Sequence, residues 1–334
     1  MPTYISSLSQ LVGTQCARLS RAVLFGENID TGSRIVGVCR NLVAPEGGRI
    51  INVGNCEATH IGAGFGMMLN GVHSVLFAKQ QDFMLLGVDH LVNTYNFVRC
   101  ARRATELGAF TIVAVVCDQG YQGPQSSFNS VGDLCSLARV PGFMLTNAHD
   151  AAQVLGGELA KPGFRFIGLS QRLFGTELLD PGFVWAAPDL SVFQYSEGAD
   201  AAIVCFNFSL PQGWALQEKL REHGLQTSLF SANHVFPLAA ERIVENAARA
   251  GSIIVIDDSK STNLAAHRLL HDVASRNPHS RRLLVERGSR VEFGVCHDAM
   301  PIDFEAIVAA ITSDIRLRQR TAEVAREVRN EKAA

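Results

Sequence analysis

The chain has no Cys-x-x-Cys pair, no His-Glu-x-x-His, and no long apolar run. Each absence removes a class of protein. The eight cysteines lie at 16, 39, 56, 100, 117, 135, 205 and 296, several of them inside apolar stretches such as Thr-Ile-Val-Ala-Val-Val-Cys117. They read as reduced, buried thiols rather than as a disulfide frame. The ten histidines show no metal-ligand spacing, and Cys296-His297 has no further ligand nearby, so no metal site is expected. No run approaches the ~20 apolar residues that cross a bilayer. The start, Met-Pro-Thr-Tyr-Ile-Ser-Ser-Leu, lacks the basic and apolar segments of a signal peptide. Thirty basic against 32 acidic residues give a net charge of −2, and the basic residues are scattered. Neither nucleic acid nor a membrane is therefore the expected partner, and the expected compartment is the cytoplasm. Internal repeats and low-complexity segments are also missing.

What is present is a rhythm. Apolar runs at 22–25, 50–53, 74–77, 110–116 and 164–169 read as strands, and a second series follows at 201–208, 226–230, 252–256 and 282–285. Helical patterns cover 85–107, 151–159, 214–223 and 238–250. Such alternation predicts α/β architecture, and strands that are apolar throughout predict parallel sheets covered on both faces. At 334 residues the chain suits two domains. Turn signals at Asp180-Pro-Gly, Ala187-Pro-Asp and Ser196-Glu-Gly place the join between Phe174 and Glu197, dividing the chain into 1–190 and 191–334. The Arg- and Glu-rich tail from residue 316 reads as an exposed terminal helix.

The chemistry concentrates in one stretch: Asn52-Val-Gly-Asn55-Cys-Glu57-Ala-Thr-His60-Ile-Gly62-Ala-Gly64-Phe-Gly66-Met-Met-Leu-Asn-Gly71, then Ser74-Val-Leu-Phe77 and Asp82-Phe83. A lone carboxylate stands between an apolar strand and a Gly-rich helix. On residue type alone, Glu57 could cap that helix, its carboxylate meeting the free amides of the first turn. Gly62, Gly64 and Gly66 fail the full dinucleotide fingerprint and follow no strand directly. In a helix they cost about 1 kcal/mol each against Ala, a cost that close packing would offset.

The order of strand, polar turn, Glu, Gly-rich helix, strand and aromatic resembles the pyrimidine-binding domain of thiamine diphosphate enzymes. The likeness is to the beta subunit of the first component of 2-oxoacid dehydrogenase complexes and to the C-terminal half of transketolase. It extends to Val23-Leu-Phe-Gly26-Glu27-Asn28, to the 110–116 strand with Gly120 and Gly123-Pro124, to Leu134-Cys-Ser-Leu-Ala-Arg-Val-Pro141-Gly142, and to Ser252-Ile-Ile-Val-Ile-Asp257-Asp258. The resemblance implies a pyrimidine-type domain, a parallel sheet flanked by helices, followed by a transketolase C-terminal-like α/β domain. It implies that Glu57 activates thiamine diphosphate by hydrogen-bonding the pyrimidine nitrogen from a dry site. Phe83 would stack on the aminopyrimidine, Asn55 would contact the cofactor, and the Gly-rich helix would pack at a subunit interface.

Two departures refine the expectation. The family binds the diphosphate and Mg²⁺ through a Gly-Asp-Gly on another domain, and this chain has none. The missing half is expected from an alpha-type subunit, as an α2β2 heterotetramer. The family also places a histidine in the loop after the 110–116 strand; this loop has none, Asn129 or Phe128 falls nearest that position, and Gln125 and Asn129 are its candidate substrate contacts. An amide cannot shuttle a proton near neutral pH. His60, one turn beyond Glu57, is a further catalytic candidate, and Lys79-Gln80 leaves room for a polar or anionic substrate group. The expected function is 2-oxoacid decarboxylation with acyl transfer to a lipoyl or carrier-protein thiol. The alternatives are the C-terminal half of a split transketolase, moving a two-carbon ketol unit, and a non-catalytic subunit of such an assembly.

Overall fold

The computed structural model describes residues 2–119, 128–232, 238–287 and 300–333. Its first half runs α1 (Tyr4–Ala17), β1 (Val23–Gly26), β2 (Arg49–Asn52), α2 (Glu57–Leu69), β3 (Ser74–Ala78), α3 (Tyr95–Ala101), β4 (Ala109–Val116), α4 (Val131–Ala138), β5 (Gly142–Leu145), α5 (Ala148–Glu158) and β6 (Gly163–Ser170). The second half runs β7 (Trp185–Ala186), β8 (Phe193–Ser196), β9 (Ala201–Phe206), α6 (Leu210–Glu222), β10 (Thr227–Ala232), α7 (Glu241–Ala250), β11 (Ser252–Asp257), α8 (Ala265–Arg276), β12 (Arg281–Glu286) and α9 (Phe304–Ala333).

These strands form two six-stranded sheets, ordered β2-β1-β3-β4-β6-β5 and β12-β11-β9-β10-β8-β7. The first is parallel throughout. In the second, β8 pairs antiparallel with β10 and β7 antiparallel with β8, so a hairpin forms one edge of an otherwise parallel sheet. That hairpin lies in the segment read as a linker, and β7 precedes residue 190. Its strands are too short to register as periodic runs. Strands β3, β4, β5, β9 and β11 are buried along their whole length, as continuous apolar runs require. The edge strand β2 is largely exposed.

The pattern at 85–107 departs from a single helix. The chain instead forms a 3-10 segment (Gln81–Gly87), a π-helical turn (His90–Thr94), α3, and a second 3-10 turn (Ala104–Glu106). The physical reason is contact with α2. A Cβ on Gly87 would lie 2.4 Å from Ile61 Cδ1, so the segment is pressed too closely onto α2 to follow one regular axis. Helix α1 goes unseen in the sequence because Ser, Thr and Gly dilute its stripe. It docks through Tyr4, Leu8, Val12 and Cys16, all buried at i, i+4 spacing. The Tyr4 hydroxyl donates to the Leu145 carbonyl (2.7 Å) and accepts from the Ser170 amide (3.0 Å), fastening α1 across β5 and β6. The tail reading covered only the end of α9, whose earlier turns bury Ile307, Val308 and Ile311.

One apolar cluster joins the facing sides of the two sheets, with Phe143, Leu145 and Leu169 from the first and Phe193, Ile203, Leu229 and Ile254 from the second. On the other side of the first sheet, Phe65 of α2 meets Phe110 edge-on at 5.2 Å and Phe164 at 5.0 Å between ring centroids, and stacks on Tyr95. This aromatic core sets the height of α2 above the sheet, and so the position of Glu57 at its start.

Candidate functional site

Parallel pairing decides which residues meet. Gly26, the last residue of β1, lies opposite Asn52 of β2 on one side and Phe77 of β3 on the other. A Cβ on Gly26 would stand 2.4 Å from the Phe77 carbonyl oxygen, so only glycine lets the two strand ends come so close. The following residue, Glu27, therefore enters the space between the turn before α2 and the end of β3. Asn52 secures this arrangement, its side-chain oxygen accepting from the Ile29 amide at 2.8 Å.

Glu57 is the first residue of α2 and is half-buried. Its carboxyl lies close enough to that of Glu27 for the two charges to interact. Glu27, Glu57, His60, Phe83 and Met84 line one small pocket, with Leu76, Phe77, Ala78 and Lys79 of the β3 end as its floor and rim. Burial pushes the Glu27 carboxyl above the usual carboxylate range; the Glu57 charge adds to this, and the Lys79 ammonium opposes it. His60 is buried on the inner face of α2, and burial lowers its pKa, an effect that Glu57 partly offsets. At neutral pH it is a neutral imidazole.

The predicted residues separate into groups. Glu57, His60 and Phe83 come together. Asn55 lies in the exposed turn beside them and does not line the pocket; with its amide nitrogen turned inward, that atom lies 3.0 and 3.1 Å from the two Glu27 oxygens. Gln125 lies outside the described residues. Asn129 is fully buried, and its amide donates to the Asp258 carbonyl at 2.8 Å, tying the first sheet to the second. Its neighbours Phe128 and Ser130 donate backbone N–H groups to Asp82 and Gln81, on the 3-10 segment that carries Phe83. Among the helical glycines, Gly64 packs against this chain's own Phe110, a Cβ on Gly62 would lie 3.5 Å from the His90 ring, and Gly66 faces open space.

Sequence reading missed Glu27 as a site residue, although it stood in a stretch already singled out; Lys79, read there as room for a polar substrate group, does line the pocket. That reading also missed a buried ion cluster where the strand ends of both sheets converge. Arg172 bridges Asp118 (3.2 Å) and Asp258, whose side chains are fully buried. Arg287 donates to the carbonyls of Asp258 (3.0 Å) and Asp118 (2.7 Å), and Lys260 to that of Cys117 (2.9 Å). The Asp257-Asp258 pair at a strand end was the visible signal.

The carboxyl pair and aromatic wall suit a flat, basic heterocycle such as an aminopyrimidine. No described group of three or more His, Cys, Asp or Glu side chains converges to hold a metal ion. None of the described helices is long and apolar enough to cross a membrane.

A search against protein-family models finds no match. Solved structures do match. A split-gene transketolase, described as an inactive beta4 tetramer, aligns with a TM-score of 0.64 at 16% identity, over 92% of this chain and 97% of that one. The fold is that of transketolase. A full-length transketolase from Campylobacter jejuni aligns with a TM-score of 0.68 at 11% identity, covering 93% of this chain and 46% of its own. The 2-oxoglutarate:ferredoxin oxidoreductase from Magnetococcus marinus aligns at 0.61 and 11% identity, over 94% of this chain and 65% of that one. The chain thus spans nearly the whole of the split-gene transketolase subunit, but only part of the two longer enzymes. Its two sheets match the transketolase pyrimidine-type and C-terminal-like domains in the order expected from the sequence.

Proposed function

We propose that this chain is the beta-type half of a split, transketolase-like enzyme dependent on thiamine diphosphate, inactive by itself and completed by an alpha-type chain. The observation that carries the reading is the Glu27–Glu57 carboxyl pair facing a pocket walled by Phe83. Thiamine diphosphate, when bound, would supply the nucleophilic carbon that cleaves a bond next to a carbonyl. The chain's own residues would hold its pyrimidine end. Glu57 would present its carboxyl to the ring nitrogen, Phe83 would give the ring a flat apolar face, and His60 would offer a hydrogen bond from the helix. The partner would bring the diphosphate and Mg²⁺ ligands.

Transfer of a two-carbon ketol unit is favoured by the split-gene likeness, which spans both chains almost completely. That relative is described as inactive as a beta4 tetramer, and the same is proposed here: without its partner the chain serves as a non-catalytic scaffold. Decarboxylation of a 2-oxoacid, with acyl transfer to a lipoyl or carrier thiol, is the second reading, supported by the likeness to the 2-oxoglutarate oxidoreductase. The proposed assembly is α2β2 in the cytoplasm, with domains at 1–190 and 191–334.

The test is thiamine diphosphate and Mg²⁺ binding by the chain alone and with its alpha partner, beside Glu57→Gln. Cofactor activation that appears only in the pair and is lost in Glu57→Gln is the expected result. Activation indifferent to Glu57 would leave only the scaffold.

A further inference from the structure

Residues 128–130 bond to both halves of the chain. The Phe128 and Ser130 amides donate to Asp82 Oδ1 and Gln81 Oε1, each at 3.3 Å, beside the pocket wall. Asn129, between them, bonds only to the turn after β11. Its carbonyl accepts from the Lys260 amide (2.8 Å) and the Ser259 hydroxyl (3.0 Å), and its side chain donates to the Asp258 carbonyl (2.8 Å). The Asn129 side-chain oxygen is buried without a hydrogen-bond partner among the described residues, so the amide acts there as a donor.

The two ends of this bridge are held unequally. The turn after β11 is fixed from several directions. The Asp258 carboxyl accepts from the Phe208 amide (3.2 Å) and pairs with Arg172, and its carbonyl also accepts from Arg287 (3.0 Å). The Ser259 amide donates to Asp257 (3.0 Å), and Lys260 Nζ to the Cys117 carbonyl (2.9 Å). The Gln81–Gly87 segment is a 3-10 stretch, whose own hydrogen bonds have poorer geometry, and its N-cap makes no side-chain bond. Buried Met84 and the close contact of Gly87 with α2 secure its later part. Its first turn, Gln81 and Asp82, closes on residues 128–130, and Phe83 comes next.

We propose that Asn129 is a positioning residue that takes its place from the β11 turn and, through Phe128 and Ser130, sets where Phe83 stands. The second half of the chain thereby fixes the aromatic wall of a pocket in the first. That this wall serves a cofactor rests on the functional reading above; the link itself is testable without cofactor.

The test uses the full chain with 4-fluorophenylalanine at position 83, read by ¹⁹F NMR, together with native-state amide exchange. Asn129→Ala should speed exchange at the Phe128, Ser130 and Phe83 amides by about fivefold and move the fluorine signal. Ser259→Ala, a change in the second half alone, should act in the same direction but less, because the Lys260 amide still holds the Asn129 carbonyl. Arg165→Met, which lowers stability from the start of β6, should leave the fluorine signal in place. Faster exchange at Phe128 and Ser130 with Phe83 unmoved in its amide and its fluorine signal would overturn the proposal. If Asn129→Ala does not fold, Ser259→Ala decides by the same two readings. Failure to bind thiamine diphosphate with the alpha partner would overturn the functional reading instead, and the cofactor-free spectra would still decide what Asn129 does.

Discussion

Two glycines two residues apart should answer the same substitution with opposite signs. Gly64 and Gly66 both lie inside α2, and replacing either by Ala should gain about 1 kcal/mol of helix propensity. At Gly66 nothing stands within 4 Å of the new Cβ, so the gain should be realised. At Gly64 the Cβ would sit 2.2, 2.4 and 2.6 Å from three carbons of the Phe110 ring, more than 1 Å inside ordinary contact. That ring cannot retreat. Phe110 is fully buried, with Phe164 at 5.1 Å and Phe25 at 6.4 Å between centroids. Overpacking of this kind costs about 1–3 kcal/mol, and a ring wedged among rings belongs at the upper end. Gly64→Ala should therefore lose about 2 kcal/mol net and Gly66→Ala gain about 1, a separation of about 3 kcal/mol. Urea unfolding of both variants at one fixed chain concentration measures it, since any self-association would otherwise enter the stability. Gly64→Ala no less stable than Gly66→Ala would refute the claim that α2 rests on Phe110.

The buried ions give further outcomes. Arg172→Met strands Asp118 and Asp258 without their common partner and should cost about 3–5 kcal/mol in urea unfolding; Arg172→Lys should recover only part, because one ammonium lacks the guanidinium fork. Arg165, buried against Glu158, should behave alike, with Arg165→Met losing somewhat less because Lys161 still pairs with Glu158 at 2.7 Å. Burial pushes Asp257 up to about 7, against ~3.9 for an unfolded chain. Across that window the folded chain keeps a proton that the unfolded chain has lost. Its contribution should therefore fall by up to about 4 kcal/mol as pH rises from about 4 to about 7, then level off, and Asp257→Asn should remove that slope from a stability–pH series.

The fold was legible because its strands are apolar end to end. Residues 110–116 have no polar side to misassign beyond Thr111 and lie within β4, and the run read at 201–208 holds β9, which ends at Phe206. What escaped was held by tertiary contact rather than by pattern. Helix α1 depends on Tyr4 reaching Leu145, 141 residues away. The broken path from Gln81 to Glu106 follows the surface of α2, which no local periodicity encodes. The β7–β8 hairpin pairs two residues with two, too few to show an alternation.

The site was legible only where it is continuous in sequence. Glu57, His60 and Phe83 lie within one run, and the structure brings them to one pocket. Glu27 joins them only because β1 lies between β2 and β3, an order that local sequence does not reveal. Once that order is known, the register Gly26 opposite Asn52 and Phe77 forces residues 27, 55–57 and 77–83 together. The ion cluster follows the same rule, since parallel strands present their carboxyl ends to one edge and polar groups gather there. The pocket differs from that cluster in being open. Asn55 and Lys79 are exposed, while Asp118 and Asp258 are sealed. Charge interactions strengthen as the local dielectric falls. The interaction between the Glu27 and Glu57 side chains is therefore set by whatever covers the turn before α2. On the proposed reading this is the physical reason that docking of an alpha-type chain and activation through Glu57 should appear together.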